Sequence, residues 1–253
     1  MTDTRRNKYK GKLSVVIPAF AQGTSIGRDV TRVQDTIEEI AVDYEILVVV
    51  DGVVDRTAEN ATEAAGPRTR VEIIKGNRGK GFAVRHGIAQ TNGTIVGFID
   101  AGGDIDTASI KDVVALVEMG AADIAIGSKL HPLSDVRYPR GRRIYSSGYR
   151  FLCWLLFNLK VRDTQVGIKF MTREVADEVL PSLRTDGFAF DIELLALAQR
   201  RGFARIEECP VVLDLRFPST IGPGTVFDML WDTVRIFYRM RLSKSYDDRG
   251  ESR

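Results

Sequence analysis

The sequence predicts an α/β fold in which a mixed, mostly parallel sheet is flanked by helices. Three observations carry that prediction: apolar β-branched runs stop abruptly at Pro18, Asp51 and Asp100, stretches of helical spacing separate them, and no break in composition divides the 253 residues. Buried parallel strands read as continuous apolar runs, and their alternation with helices builds such a sheet.

The elements follow in order. Met1 to Lys12 is polar and basic with no apolar core, which excludes a secretory signal and predicts a flexible N-terminus at 1–12. Leu13–Pro18 is the first strand. Ile26, Val30, Val33, Ile37 and Ile40 recur at helical spacing, and Tyr44–Asp51 is a second strand stopped by Asp-Gly. Val71–Ile74 and Thr94–Asp100 continue the alternation, followed by a helix over Ile110–Met119 and a strand over Ala122–Gly127. Farther on the pattern loosens: a Pro/Arg-rich loop from His131 to Arg143, an apolar helix over Ile144–Leu159 and another helix over Asp191–Arg201. Residues 13–224 read as one domain. The last element, 225–242, spaces Phe227, Leu230, Trp231, Val234, Phe237 and Tyr238 as one apolar stripe of an amphipathic helix; it either packs on the domain or docks at a bilayer surface. A polar, frayed tail is expected at 243–253.

Composition narrows the function. Thirty-six basic residues against 34 acidic ones leave a net charge of +2, which gives no argument for nucleic acid. The two cysteines, Cys153 and Cys209, sit in or beside apolar segments and read as packed thiols, not as a disulfide or metal site. No segment reaches the roughly 18 apolar residues of a spanning helix. A cytoplasmic protein, peripheral on a membrane, is the expectation.

Strand ends carry the chemistry in open α/β sheets. Asp100-Ala101-Gly102-Gly103-Asp104 sets two carboxylates on a glycine loop, a pair able to hold Mg²⁺ or Mn²⁺ against a diphosphate; an ordinary strand-end turn is the other reading. Asp106 reads as a cap for a helix starting near Ala108. Asn77-Arg78-Gly79-Lys80-Gly81 places glycines beside cations and suits phosphate or sugar, although it lacks the spacing of a nucleotide P-loop. Lys129, His131, Arg137, Arg140, Arg142 and Arg143 form a basic stretch before an apolar helix, as an anionic amphiphile would require or as a solvated loop would show. Asp191, set between Phe190 and Ile192, is either a helix cap or a desolvated functional acid. His86 and His131 have no partner spacing and receive no role.

Together these segments resemble the family 2 glycosyltransferases of the GT-A fold, in particular the polyprenyl-phosphate and dolichyl-phosphate sugar transferases. The resemblance spans about Leu13 to Leu242. Its most specific stretches are Val15–Phe20, Asn77–Gly81, Arg162-Asp163-Thr164-Gln165-Val166-Gly167-Ile168-Lys169-Phe170 with Thr172-Arg173-Glu174, and Phe188–Leu195; the Asn-Arg-Gly-Lys-Gly and Arg-Asp-Thr-Gln segments look closer to dolichyl-phosphate glucosyltransferases than to mannosyltransferases.

The resemblance implies a Rossmann-like nucleotide-sugar-binding domain. Pro18, Phe20, Gln22, Asp51, Lys80, Asp100 and Ala101 would bind the nucleotide sugar, Asp100 and Asp104 the metal, Lys129, Arg142 and Gln165 the acceptor phosphate, and Asp100 with Asp191 would be catalytic, Asp191 orienting the acceptor or acting as base. Three departures stand out: Ala21-Gln22 replaces Asn-Glu, Val50-Asp51-Gly52-Val53 replaces Asp-Asp-Gly-Ser, and Gly102 replaces the middle acid of the Asp-x-Asp motif. Each removes a polar contact, so the metal site would lean on Asp100 and Asp104.

The implied reaction is inverting transfer from a nucleoside-diphosphate sugar, UDP-glucose before GDP-mannose, to polyprenyl phosphate at a membrane surface. A membrane-protein partner or a homo-oligomer is compatible with it. The rival readings are transfer to a hydroxyl of a soluble or polysaccharide acceptor, and a degenerate nucleotide-sugar-binding protein.

Overall fold

The computed structural model describes residues 8–137, 142–214, 223–241 and 246. Eight helices and nine strands occur among them: β1 (Tyr9–Ala19), α1 (Ile26–Ile40), β2 (Ala41–Asp51), α2 (Thr57–Ala64), β3 (Thr69–Ile74), α3 (Lys80–Ala89), β4 (Ile95–Ile99), α4 (Ser109–Glu118), β5 (Ile124–Ser128), β6 (Asp135–Arg137), α5 (Arg142–Phe157), β7 (Ile168–Thr172), α6 (Arg173–Val179), α7 (Phe190–Arg200), β8 (Ile206–Pro210), β9 (Val212–Asp214) and α8 (Pro223–Arg241). Seven strands form one sheet in the order β3-β2-β1-β4-β7-β5-β8, and β6 pairs with β9 apart from it.

The sheet separates two apolar cores, as the alternation of β1 requires. Leu13, Val15 and Ile17 face the layer of α1, α2 and α4, whereas Val16 faces α3, α6, α7 and α8. From β1 the chain winds outward through β2 to β3, then returns to β4 on the other side of β1, all in parallel. That reversal of direction makes a crevice at the carboxyl ends of β1 and β4.

β7 is the exception. It runs antiparallel to both β4 and β5 and sets Lys169 opposite Phe98. Sequence spacing does not single it out as a strand, because five residues hold too few periods to tell a buried strand from a buried helix segment.

Some boundaries move. β1 begins at Tyr9, so the paired chain reaches four residues into the segment expected to be flexible, and Tyr9 reaches the hydroxyl of Thr94 at 2.6 Å. In the expected frayed tail, Tyr246 is buried and its hydroxyl donates to Glu193, while the rest of 242–253 lies outside the described residues. The loop from His131 to Arg143 contains β6, and α5 starts at Arg142. Both cysteines are free and buried, and burial pushes each thiol up to about 12, as expected of packed, unreactive side chains.

Candidate active site

Pro18, Asp51 and Asp100 meet at one edge of the sheet because their strands are parallel neighbours. Asp51 is buried, and its carboxylate accepts the backbone N–H groups of Arg78 (2.9 Å) and Gly79 (2.6 Å). It therefore organises the Asn77–Gly81 loop. The N–H groups of Gly81 and Phe82 donate to the carbonyl of Asp186 at 2.7 and 3.2 Å, so four N–H groups of this stretch are committed within the protein. An anion cradled by them, as the glycine pattern suggested, is not what the loop is built for. Its contribution is Lys80.

Lys80, Asp100, Lys169 and Asp191 form an alternating chain of charges inside the crevice. The ammonium of Lys80 donates to Asp100 Oδ2 at 2.8 Å and lies 3.5 Å from Asp191 Oδ2. Lys169, completely buried, donates to the Val166 carbonyl at 2.8 Å and lies 2.6 Å from Asp191 Oδ1. That last contact, between a fully buried ammonium and a buried carboxylate oxygen, is the shortest ion pair of the chain of charges. Phe98 and Phe190 wall the group, their ring centroids 5.4 and 5.7 Å from Lys80 Nζ.

Burial works to lower the Lys80 pKa, but the attraction of Asp100 and Asp191 outweighs it and holds the ammonium above its usual value. Lys169 goes the other way. Its burial prevails over Asp191, and the nearby charge of Lys80 lowers it further.

Asp191 is not a helix cap. It lies in the first turn of α7, after the N-cap residue Ala189, with its oxygens directed at the two lysines. Glu193, on the same helix, accepts the N–H groups of Arg184 and Thr185 and the Tyr246 hydroxyl, so it fastens the preceding loop and the C-terminal segment. Of the two acids in this stretch, only Asp191 belongs to the crevice.

The Asp100–Asp104 loop turns through Gly102 (φ 114°) and Gly103 (φ 73°), conformations L-residues resist. Its backbone is held by a residue the motif reading missed: buried Asp29 of α1, whose Oδ2 accepts the Gly102 N–H at 2.9 Å. Gln22 lies beside the same glycine and accepts from Ser25 at 3.0 Å. Asp106 accepts the Ala108 N–H at 3.0 Å in the turn that leads into α4, but the N-cap position of that helix is Ala108 and no side chain caps it, so the expected cap becomes a brace of the preceding turn.

The donor set fits a hard divalent cation in part. Asp100 Oδ1 is buried and accepts no hydrogen bond, while Oδ2 is taken by Lys80. Among the described residues no three histidine, cysteine or carboxylate side chains cluster as a metal cage. A cation on Asp100, with Asp104 at the far end of the loop, would need oxygens from a bound diphosphate.

The acceptor-side candidates separate. Asp163 accepts the Lys129 and Gln165 N–H groups at 3.0 and 3.1 Å and lies 3.8 Å from Lys129 Nζ, so it joins the end of β5 to the approach to β7. Asp163 and Arg162 in turn donate backbone N–H groups to Glu208 at 2.9 and 3.1 Å. Lys129 and Gln165 thus flank one buried carboxylate. The side chains of Arg137, Arg142 and Arg143, and all of Arg140, lie outside the described residues.

On α8 the apolar stripe divides. Phe227, Trp231, Val234 and Tyr238 are exposed, as are Trp154 and Leu155 of α5, whereas Thr233, Ile236 and Met240 are buried. Phe237, grouped by spacing with the exposed set, packs edge-on against Phe157 at 6.2 Å between centroids. One face of the helix packs on the domain and another presents aromatics to the surroundings.

Residues 14–180 match the model of glycosyl transferase family 2. The chain belongs to that family. It is 30% identical over 249 residues to the dolichyl-phosphate β-glucosyltransferase of Dictyostelium discoideum, covering 91% of this chain and 75% of that protein. The human dolichyl-phosphate β-glucosyltransferase is 33% identical over 208 residues, covering 74% and 63%. The chain thus spans about two thirds to three quarters of the length of these relatives. Among solved structures, glucosyl-3-phosphoglycerate synthase from Mycobacterium tuberculosis superposes with a TM-score of 0.70 at 20% identity over 90% of this chain and 79% of its own; that structure holds Mn²⁺, UDP and glucosyl-3-phosphoglycerate. The fold is GT-A, and this family 2 glycosyltransferase builds its crevice at the switch point of the sheet.

Proposed function

We propose that this glycosyltransferase moves a sugar, glucose first, from a nucleoside-diphosphate sugar to a polyprenyl phosphate, with inversion at the anomeric carbon. The observation that carries the reading is Asp100 at the switch point, one carboxylate oxygen bare and the other on Lys80. The names of the curated relatives supply glucose and a dolichyl phosphate acceptor.

Pro18, Phe20, Gln22 and Ala101 line the strand ends on which the nucleotide would lie, and Asp51 shapes that wall through the loop it fastens. Asp100 and Asp104 would hold Mg²⁺ or Mn²⁺, which neutralises charge on a leaving diphosphate when bound. Lys80 adds a fixed ammonium on the same side. Lys129, Gln165 and Arg142 remain the proposed acceptor-phosphate residues. A phosphate monoester is largely ionised at neutral pH, its second pKa lying near ~6, so the chain's work is alignment and charge stabilisation more than proton removal.

A lipid acceptor is met at a bilayer surface, and the exposed aromatics of α8 and α5 suit that place. No helix among the described residues is long and apolar enough to cross a membrane.

The test is a transfer screen. UDP- and GDP-sugars are offered with polyprenyl phosphate, with short soluble sugars, and with or without Mn²⁺. Metal-dependent glucosyl transfer to the lipid, lost in Asp100→Asn, is expected; transfer only to soluble hydroxyls, or wild-type rates in Asp100→Asn, would refute it.

A further inference from the structure

We infer that Asp191 is not a base but a positioning carboxylate which, with Lys169 behind it, holds Lys80 in place against Asp100. This rests on the proposed use of the crevice for a nucleoside diphosphate.

A general base must come within ~2.6–3.2 Å of the proton it removes. Asp191 has little room to do so. Its side chain is 2% exposed, with one oxygen 2.6 Å from the Lys169 ammonium and the other 3.5 Å from that of Lys80. Exposure instead rises along the chain of charges toward the crevice mouth, from 0% at Lys169 and 2% at Asp191 to 11% at Lys80 and 35% at Asp100. The members that can meet a ligand are the last two.

β7, α7 and α3 supply Lys169, Asp191 and Lys80, and Asp100 is the residue that follows β4. The antiparallel register of β7 places Lys169 opposite Phe98, with its ammonium 5.6 Å from that ring and 2.6 Å from Asp191. Without the Asp191 charge, the two ammoniums would face one another in a largely buried space, and Lys80 would swing away. A buried charge stripped of one partner is costly, which makes the alternation a constraint on where Lys80 sits. Lys80 then is the group that touches a diphosphate, and Asp191 and Lys169 act through it.

Calorimetric titration of the full chain with UDP and Mn²⁺, beside turnover, separates the roles. A positioning Asp191 predicts that Asp191→Asn and Lys80→Met each weaken UDP binding ~10-fold or more, the usual scale for a contact to a charged group. The double variant should then be no weaker than the worse single one, because both changes remove one interaction. A base predicts lost turnover with unchanged UDP affinity in Asp191→Asn, and that result, or additive losses in the double variant, would overturn the inference. Should Asp191→Asn fail to fold, Lys169→Met is read in the same way: weakened UDP binding supports the inference and unchanged binding overturns it. A wild-type chain that binds no nucleoside diphosphate would overturn the proposed function and this inference together.

Discussion

Gly167→Ala puts the smallest side chain at the tightest point of the crevice. A Cβ built on Gly167 would lie 1.8 Å from Asp100 Oδ2, 2.1 Å from its Cγ and 2.8 Å from its Cβ. Rotating the Asp100 carboxylate relieves the first two contacts but not the third. The backbones must therefore part, and they are joined by the Asp100 N–H donating to the Gly167 carbonyl at 2.8 Å. Overpacking of this kind costs about 1–3 kcal/mol, roughly a tenth to a third of the stability of a domain near 10 kcal/mol. The protein should stay folded, with a denaturation midpoint lowered accordingly. Function should suffer far more, because the displaced oxygen is the one that Lys80 holds. Urea denaturation beside UDP–Mn²⁺ binding and glucosyl transfer reads both effects. Gly102→Ala is the comparison: beyond its chain neighbours the nearest atom to its new Cβ is 3.7 Å away, so its cost is the positive φ, about 1–3 kcal/mol. Wild-type binding and midpoint in Gly167→Ala would refute the reasoning.

Two further outcomes are expected. Replacing Phe227 and Trp231 together by Ser should release the protein from anionic liposomes in a flotation assay while its melting temperature holds, since exposed positions contribute within about 0.5 kcal/mol each; retained flotation would remove the aromatic face of α8 from the membrane reading. Glu45 provides a pH test remote from the crevice. Burial raises its pKa, but the Asn92 N–H, the Ser14 hydroxyl and the Lys12 ammonium outweigh that and hold it below its usual value. A depressed carboxylate stabilises the fold above its unfolded pKa and stops doing so as pH falls through the folded one. Wild type should therefore lose more stability than Glu45→Gln between about pH 5 and pH 3, measured by urea midpoints; parallel curves for the two would refute the assignment.

Much of this molecule was legible in the chain because local rules suffice for it. Helical spacing from Ile26 to Ile40 and the β-branched runs before Pro18, Asp51 and Asp100 reflect one-sided or two-sided burial, which a single segment must satisfy by itself. Strand ends then point to the ligand crevice of such a sheet, and Asp100 stands at one of them. The placing of Lys169 and Asp29 is a different matter. Lys169 stands inside the apolar run Ile168–Met171, and a charge there must be buried with a partner, but nothing local names Asp191, 22 residues on, as that partner. Asp29 looks like an ordinary first-turn acid of α1 until the fold brings Gly102 to it.

The division of α8 has the same origin. Its sequence shows amphipathicity, but only packing against Phe157 and Tyr149 decides that Phe237 and Thr233 turn inward while Trp231 stays exposed. Periodicity along one segment determined which elements form and where the reactive carboxylate stands at a strand end. Partners distant in sequence were decided by the antiparallel insertion of β7 and the docking of α3 and α7. Ion pairs and packing depend on spatial proximity, which a single segment does not encode.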